Sequence, residues 1–239
     1  MEQETNALTE HNELARIYEV LEMYPDMVSE VKKVVELREA AGEQMTMDER
    51  YRLSIAYKHI TGRLRTTYRA TVDILPKART EQIGQLVQRV QDKLKADILA
   101  NCQDVIRLLA NQTVTQDEGG VFLLKLRGDY LRYQSEVDMT NEEFKEKARE
   151  AYNEATSVAS EVLTPTNPVR LGLALNHSVF LYEIADDHNA ACQMAHATLQ
   201  EAVANLGEAK KEGQPEVCII LQLLRDNLSI WSSDSAADE

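Results

Sequence analysis

Proline and glycine are scarce in this chain, five and nine among 239 residues. The turn-rich spacing of a β-sandwich or barrel needs more of both. There is no Asn-Gly or Asp-Gly pair, so the strongest short hairpin signal is missing. No apolar run approaches the roughly 20 residues of a membrane span. The start, Met1-Glu2-Gln3-Glu4, is acidic and does not open like a signal peptide. Cysteine is limited to Cys102, Cys192 and Cys218, an odd number, widely spaced. They read as buried free thiols of a reducing compartment, and the expected location is cytoplasmic. Positive charge is also in deficit: 26 Lys and Arg against 40 Asp and Glu, a net charge of −14. That weighs against nucleic acid or an anionic membrane as partner, both of which need a basic surface.

Enzyme signatures are missing as well. A di-iron helical bundle needs Glu-x-x-His pairs. The residues three before the five histidines are Leu8, Ala56, Ala174, Ala185 and Gln193. There is no His-Glu-x-x-His, Cys-x-x-Cys, phosphate loop or Gly-x-Ser-x-Gly. Neither a catalytic centre, a metal site nor a cofactor is expected.

What remains is helix-forming. Ala, Leu, Glu, Gln, Lys and Arg dominate, and apolar residues recur at three- and four-residue spacing. The fold class is all-α, with about nine helices. Tyr24-Pro25 starts the second and Gly42 closes it. Thr46-Met47-Asp48-Glu49 reads as a capping box, and so does Thr140-Asn141-Glu142-Glu143. Pro76 stops the third helix, and Gly119-Gly120 breaks the chain before the fifth. Asn167-Pro168 is a cap followed by a first-turn proline. Asp186-Asp187 separates the next two helices, and Gly213 and Pro215 precede the last, over about 216–232. One domain over 1–232 and a short acidic disordered tail over 233–239 are expected. No fixed repeat period appears.

Two constellations stand out. Lys58, Arg65 and Arg69 fall within about 40° of one another on one helix face. No acidic residue occurs between Glu49 and Asp73 to pair with them locally. This is either a solvated face or an anion site, where guanidinium forks grip phosphate at two points. Lys125, Asp129, Arg132 and Glu136 form a second stripe, with Tyr133 beside Arg132. Its alternating sign is either local pairing or carboxylates that hold cations in place for a ligand. Asn176 and Asn227 each sit beside an apolar row. Such an amide is either a buried core group or a grip for the main chain of an extended peptide, and periodicity does not choose.

The sequence resembles the 14-3-3 family over nearly its whole length. The resemblance is carried by Pro168-Val169-Arg170-Leu171-Gly172-Leu173-Ala174-Leu175-Asn176 with Ser178-Val179-Phe180, and by the run from Gln222 to Trp231. Ser54-Ile55-Ala56-Tyr57-Lys58 and Gly128-Asp129-Tyr130-Leu131-Arg132-Tyr133 support it. The resemblance implies nine antiparallel helices in an L-shaped array, paired into a dimer. It implies an adaptor that binds phosphoserine or phosphothreonine peptides of client proteins in an amphipathic groove, and no enzyme activity. It assigns phosphate to Lys58, Arg65, Arg69, Arg132 and Tyr133, and a further basic groove position to Lys125. Asn176 and Asn227 would hold the ligand's main chain, and Glu183 is a groove carboxylate. Leu175, Val179, Ile219, Ile220, Leu223 and Ile230 would form the apolar wall, and Trp231 matches a tryptophan near the end of the last helix. The alternative is a helical scaffold that binds without phosphate.

The sequence departs from the family pattern at Tyr51, Arg52, His59 and Tyr68, and in the loop after Leu75. At the expected dimer edge, Met23 replaces an arginine opposite Asp97, and Val90 replaces an aromatic. Asp26 and Lys93 keep the other usual pair, so a homodimer, a heterodimer and a monomer all stay open. Thr67 occupies a position where many relatives carry a regulatory serine.

Overall fold

The computed structural model describes residues 2–209 and 215–237, with side chains over 6–205 and 215–233. Among the described residues the regular structure is helical throughout: α1 (Glu2–Val20), α2 (Tyr24–Ala40), α3 (Met47–Ile74), α4 (Glu81–Leu109), α5 (Glu118–Val137), α6 (Glu142–Val162), α7 (Pro168–Glu183), α8 (His188–Ala209) and α9 (Pro215–Ala237). A single 3-10 turn, Leu75–Lys77, follows α3. The chain divides into two compact units, Met1–Thr113 and Val114–Glu239.

In the first unit, α1 packs on α2, α2 on α3, and α3 on α4. Its core is Met27, Val31, Val34, Val35, Leu53, Ala56, Tyr57, Ile98, Cys102 and Val105, all nearly sealed from solvent. The Thr46 capping box forms as its sequence predicts. The Thr46 hydroxyl accepts from the Glu49 amide at 3.3 Å, and the Glu49 carboxylate accepts from the Thr46 amide at 2.8 Å. That carboxylate also takes Arg38 at 3.0 Å and the Asn12 amide at 3.0 Å. One buried Glu therefore ties α1 and α2 to the start of α3. Burial alone would raise its pKa; the Arg38 guanidinium and the cap amide win and lower it. Asp104 on α4 does similar work, accepting from Tyr57 and Lys32.

In the second unit, α6 packs along α5, α7 touches α5 and α6, and α8 and α9 cover α7. Four helix starts are set by side chains, that of α6 by Asn141. Asp117 caps α5 by accepting from the Gly120 amide at 2.9 Å. Asn167 caps α7 by accepting from Val169 and Arg170, with Pro168 in the first turn. Asp187 accepts from Ala190 at the start of α8.

Local expectations fail in four places. Gly119 and Gly120 lie inside the first turn of α5 rather than before it. A side-chain carbon on Gly120 would stand 1.8 Å from the Thr115 carbonyl oxygen, so the glycine serves a close backbone approach. The Thr140 box does not form. Asn141 is the cap and accepts from the Phe144 amide at 3.3 Å, while the Thr140 hydroxyl turns to Asp138. Asn is at least as good a cap as Thr, so the helix starts one residue later. Of the three free cysteines only Cys102 is buried; Cys192 is half-buried and Cys218 exposed. Finally, α9 runs past Ser232 to Ala237. Gly213, residues 238–239 and the side chains of 234–239, most of the expected tail, lie outside the described residues.

Candidate anion and peptide site

On α3 of the first unit, Lys58 and Arg69 are exposed and Arg65 is half-buried. Tyr57, the residue before Lys58, is fully buried and donates its hydroxyl to Asp104 on α4. That anchor fixes the rotation of α3, and Lys58, about 100° further round the helix, is turned to solvent. Thr67 is exposed, and its hydroxyl donates to the Arg63 carbonyl at 2.9 Å.

The second unit buries a polar cluster within its apolar core. Asp129 on α5 is 5 % exposed and Arg132 6 %. Asp129 accepts from Lys125 at 2.8 Å, from the Tyr152 hydroxyl on α6 at 2.6 Å and from the Asn176 amide on α7 at 2.7 Å. Arg132 donates its Nε–H to the Tyr152 hydroxyl at 3.0 Å, and its Nη2 lies 3.8 Å from Asp129. The guanidinium carbon stands 4.7 Å over the Tyr133 ring, a cation–π distance. Burial opposes the charge on Asp129, but Lys125 and Arg132 outweigh it and hold the carboxyl below the usual range. Burial also opposes the charge on Arg132; the neighbouring Tyr152, Tyr133 and Asp129 prevail and raise its pKa. Tyr152 is pushed well above the ordinary phenol value, chiefly by burial. Asp129 and Arg132 are thus held charged and Tyr152 protonated.

The Lys125–Asp129–Arg132 stripe thus pairs locally and holds cations in place at once: one carboxylate neutralises part of two cations. The same contact bears on Asn176. Its amide is neither sealed in the core nor pointing at solvent, but half-buried and donating to Asp129. Leu175 and Val179 flank it, both half-buried, and Glu183 one turn on is exposed. On α9, Val217, Leu221, Leu224, Leu228 and Trp231 face the core. Ile219, Leu223 and Ile230 do not, at 61 %, 45 % and 56 % exposed. Ile220 and Asn227 are half-buried between the two faces. Trp231 is 5 % exposed and stacks on Tyr182 at 4.6 Å. It braces α9 against α7 rather than offering a free surface.

Sequence reasoning missed Tyr152. It lies twenty residues from Arg132, on another helix, and nothing in its neighbourhood marks it. The available signal was the turn at Thr140–Asn141: Asp129 and Tyr152 stand equally far from it, and two helices of equal rise bring such residues opposite. Gly128 completes the approach, since a side-chain carbon there would lie 2.9 Å from the Tyr152 ring. Among the described residues, no group of three or more His, Cys, Asp or Glu is placed to hold a metal ion. No described helix is long and apolar enough to cross a membrane.

The described residues thus define an all-helical protein whose second unit buries a charged Lys125–Asp129–Arg132 cluster. The model of the family described as 14-3-3 protein matches residues 14–232. The chain is 38 % identical over 231 residues to 14-3-3-like protein 2 of Caenorhabditis elegans, covering 94 % of this chain and 92 % of that protein. It has the same identity, over 94 % of its length, to 14-3-3 protein beta/alpha-1 of Oncorhynchus mykiss and to human 14-3-3 protein beta/alpha, of which 93 % and 92 % are covered. The chain belongs to the 14-3-3 family.

Proposed function

We propose that this protein is a phosphopeptide-binding adaptor, acting by binding rather than catalysis, whose ligands are phosphoserine or phosphothreonine segments of client proteins. The observation that carries the reading is the Arg132 cluster. An arginine this buried is retained at a cost unless a partner uses its charge. A phosphate brings about −1.5 to −2 charge and three acceptor oxygens. Each charge-assisted hydrogen bond to it contributes roughly 1.5–3 kcal/mol. In the second unit the proposed phosphate ligands are Arg132 and Tyr133, with Lys125 as an added cation. Asn176 and Asn227 are proposed to hold the peptide main chain, and Glu183 to meet a polar group of the ligand. Leu175, Val179, Ile219, Ile220, Leu223 and Ile230 would take its apolar side chains, braced by Trp231. In the first unit Lys58, Arg65 and Arg69 are proposed as further phosphate ligands.

The proposed setting is cytoplasmic. The protein is proposed to pair with a second copy or a relative. Ile17, Val20, Leu21 and Met23 at the end of α1, and Leu86 and Val90 on α4, are exposed apolar groups of the first unit that pairing would cover. Two grooves in one dimer would engage two sites on a client and gain avidity.

The test is fluorescence anisotropy with one labelled phosphoserine peptide and its unphosphorylated twin. Binding only to the phosphopeptide, abolished by Arg132→Ala and by Arg65→Ala, is the expected result. Equal binding to both peptides would replace this reading with a phosphate-independent helical scaffold.

A further inference from the structure

Arg132 is held from three directions, and one of them has no place in the ligand set above. Its Nε–H donates to the Tyr152 hydroxyl at 3.0 Å, and that hydroxyl donates onward to Asp129 at 2.6 Å. The phenol thus relays between a buried cation and a buried anion, with its proton committed to the carboxylate and its lone pair to the guanidinium. The ring has no room to swing. Gly128 lies against one edge, His177 stacks on it at 5.2 Å with planes 12° apart, and Phe180 lies 5.6 Å away. His177 is itself tied through Nδ1 to the Thr156 hydroxyl at 3.0 Å. Tyr152 is fully buried and touches no solvent.

A guanidinium offers two edges for a two-point contact with an oxyanion: Nε with one Nη, or the two Nη nitrogens together. With Nε–H committed to Tyr152, only the Nη1/Nη2 end of Arg132 is left for a bidentate contact. Without the phenol, the side chain could rotate and turn its Nε edge toward Asp129, nearer to full neutralisation by its own carboxylate.

We propose that Tyr152 is a positioning residue for anion binding: its hydroxyl fixes which edge of Arg132 meets a phosphate and keeps that arginine from collapsing onto Asp129. The proposal rests on the phosphopeptide reading for its ligand, but not for its geometry.

The experiment uses the full-length protein and the Tyr152→Phe, Arg132→Lys and double variants. Tyr152→Phe deletes one oxygen and leaves every ring contact in place. Its affinity for the labelled phosphoserine peptide is expected to fall at least tenfold, measured well below the unfolding transition. In the Arg132→Lys background, which has no Nε–H to position, Tyr152→Phe is expected to add no more than twofold, whereas a merely structural role would carry through undiminished. The second readout needs no ligand. The Arg132 15Nε–H resonance is expected to exchange slowly with solvent in the parent and faster in Tyr152→Phe. An affinity within twofold of the parent, or an unchanged Nε–H exchange rate, overturns the proposal. If the parent binds no phosphopeptide, the functional reading falls, and the exchange rate alone decides whether Tyr152 positions Arg132.

Discussion

Replacing Asp129 by Asn tests whether the buried cluster is held by charge or by shape. Asn has nearly the same volume and keeps an acceptor oxygen for the Tyr152 hydroxyl. What it removes is one negative charge facing two cations. At 2.8 Å from Lys125 and 3.8 Å from Arg132, with an effective dielectric constant of about 20, the attractions lost are about 6 and about 4 kcal/mol. Against that, the carboxylate no longer has to be desolvated, which returns several kcal/mol. Lys125 is only half-buried and recovers some hydration. Arg132 cannot, at 6 % exposed. Breaking a buried pair from one side costs about 3–5 kcal/mol, and that is the expected loss. The assay is urea unfolding followed by Trp231, the single tryptophan, which is packed within the second unit against Tyr182. The variant should also gain more stability than the parent from added phosphopeptide, because the ligand then supplies an anion in place of the missing carboxylate. A loss below about 1 kcal/mol, with equal gains from peptide, would refute the electrostatic account.

Two further outcomes follow from the same cluster. Burial, with a smaller contribution from the Arg149 charge, pushes His177 down to about 4 from its usual 6.5. The unfolded chain therefore binds the proton more tightly, so His177's contribution is complete above pH 6.5 and is lost as pH falls toward 4. Between pH 7 and pH 5 that is about 2 kcal/mol. His177→Phe, which keeps an aromatic ring against Tyr152, should flatten the pH dependence of the urea midpoint by that amount; an identical fall in both proteins would count against it. Gly128→Ala sets two effects in opposition. Alanine favours the helix by about 1 kcal/mol. The new carbon 2.9 Å from a sealed tyrosine ring costs about 1–3 kcal/mol. Overpacking should win, lowering both the unfolding midpoint and phosphopeptide affinity, and a stabilised variant would show that the Tyr152 ring yields easily.

The helices were legible because their signals are local. The Thr46 box, the Asn167-Pro168 cap and the Asp186-Asp187 break each involve residues within one turn, and each forms where its sequence places it. The Thr140 box failed because two adjacent capping residues competed, and only the entry geometry of α6 selects Asn141. The cationic stripe on α3 was legible for the same reason: it needs only helical spacing and a missing local counter-charge. For Asn176 and for α9 the periodicity left two meanings open, since burial is a property of neighbours and not of spacing. Asn176 meets Asp129 on another helix, and α9 carries more apolar surface than its core face consumes.

By itself, then, the sequence determined that this chain is all helical, where most of those helices begin, that its surplus charge is negative, and which cations share a face. These follow from dihedral preference, capping chemistry and a period of 3.6 residues, all short-range. Only the tertiary structure decided that Arg132 is buried, that Tyr152 stands between it and Asp129, and that Trp231 braces α9 while Ile219, Leu223 and Ile230 stay exposed. Those facts depend on which helices lie side by side and in what register, and that comes from packing between residues far apart in the chain.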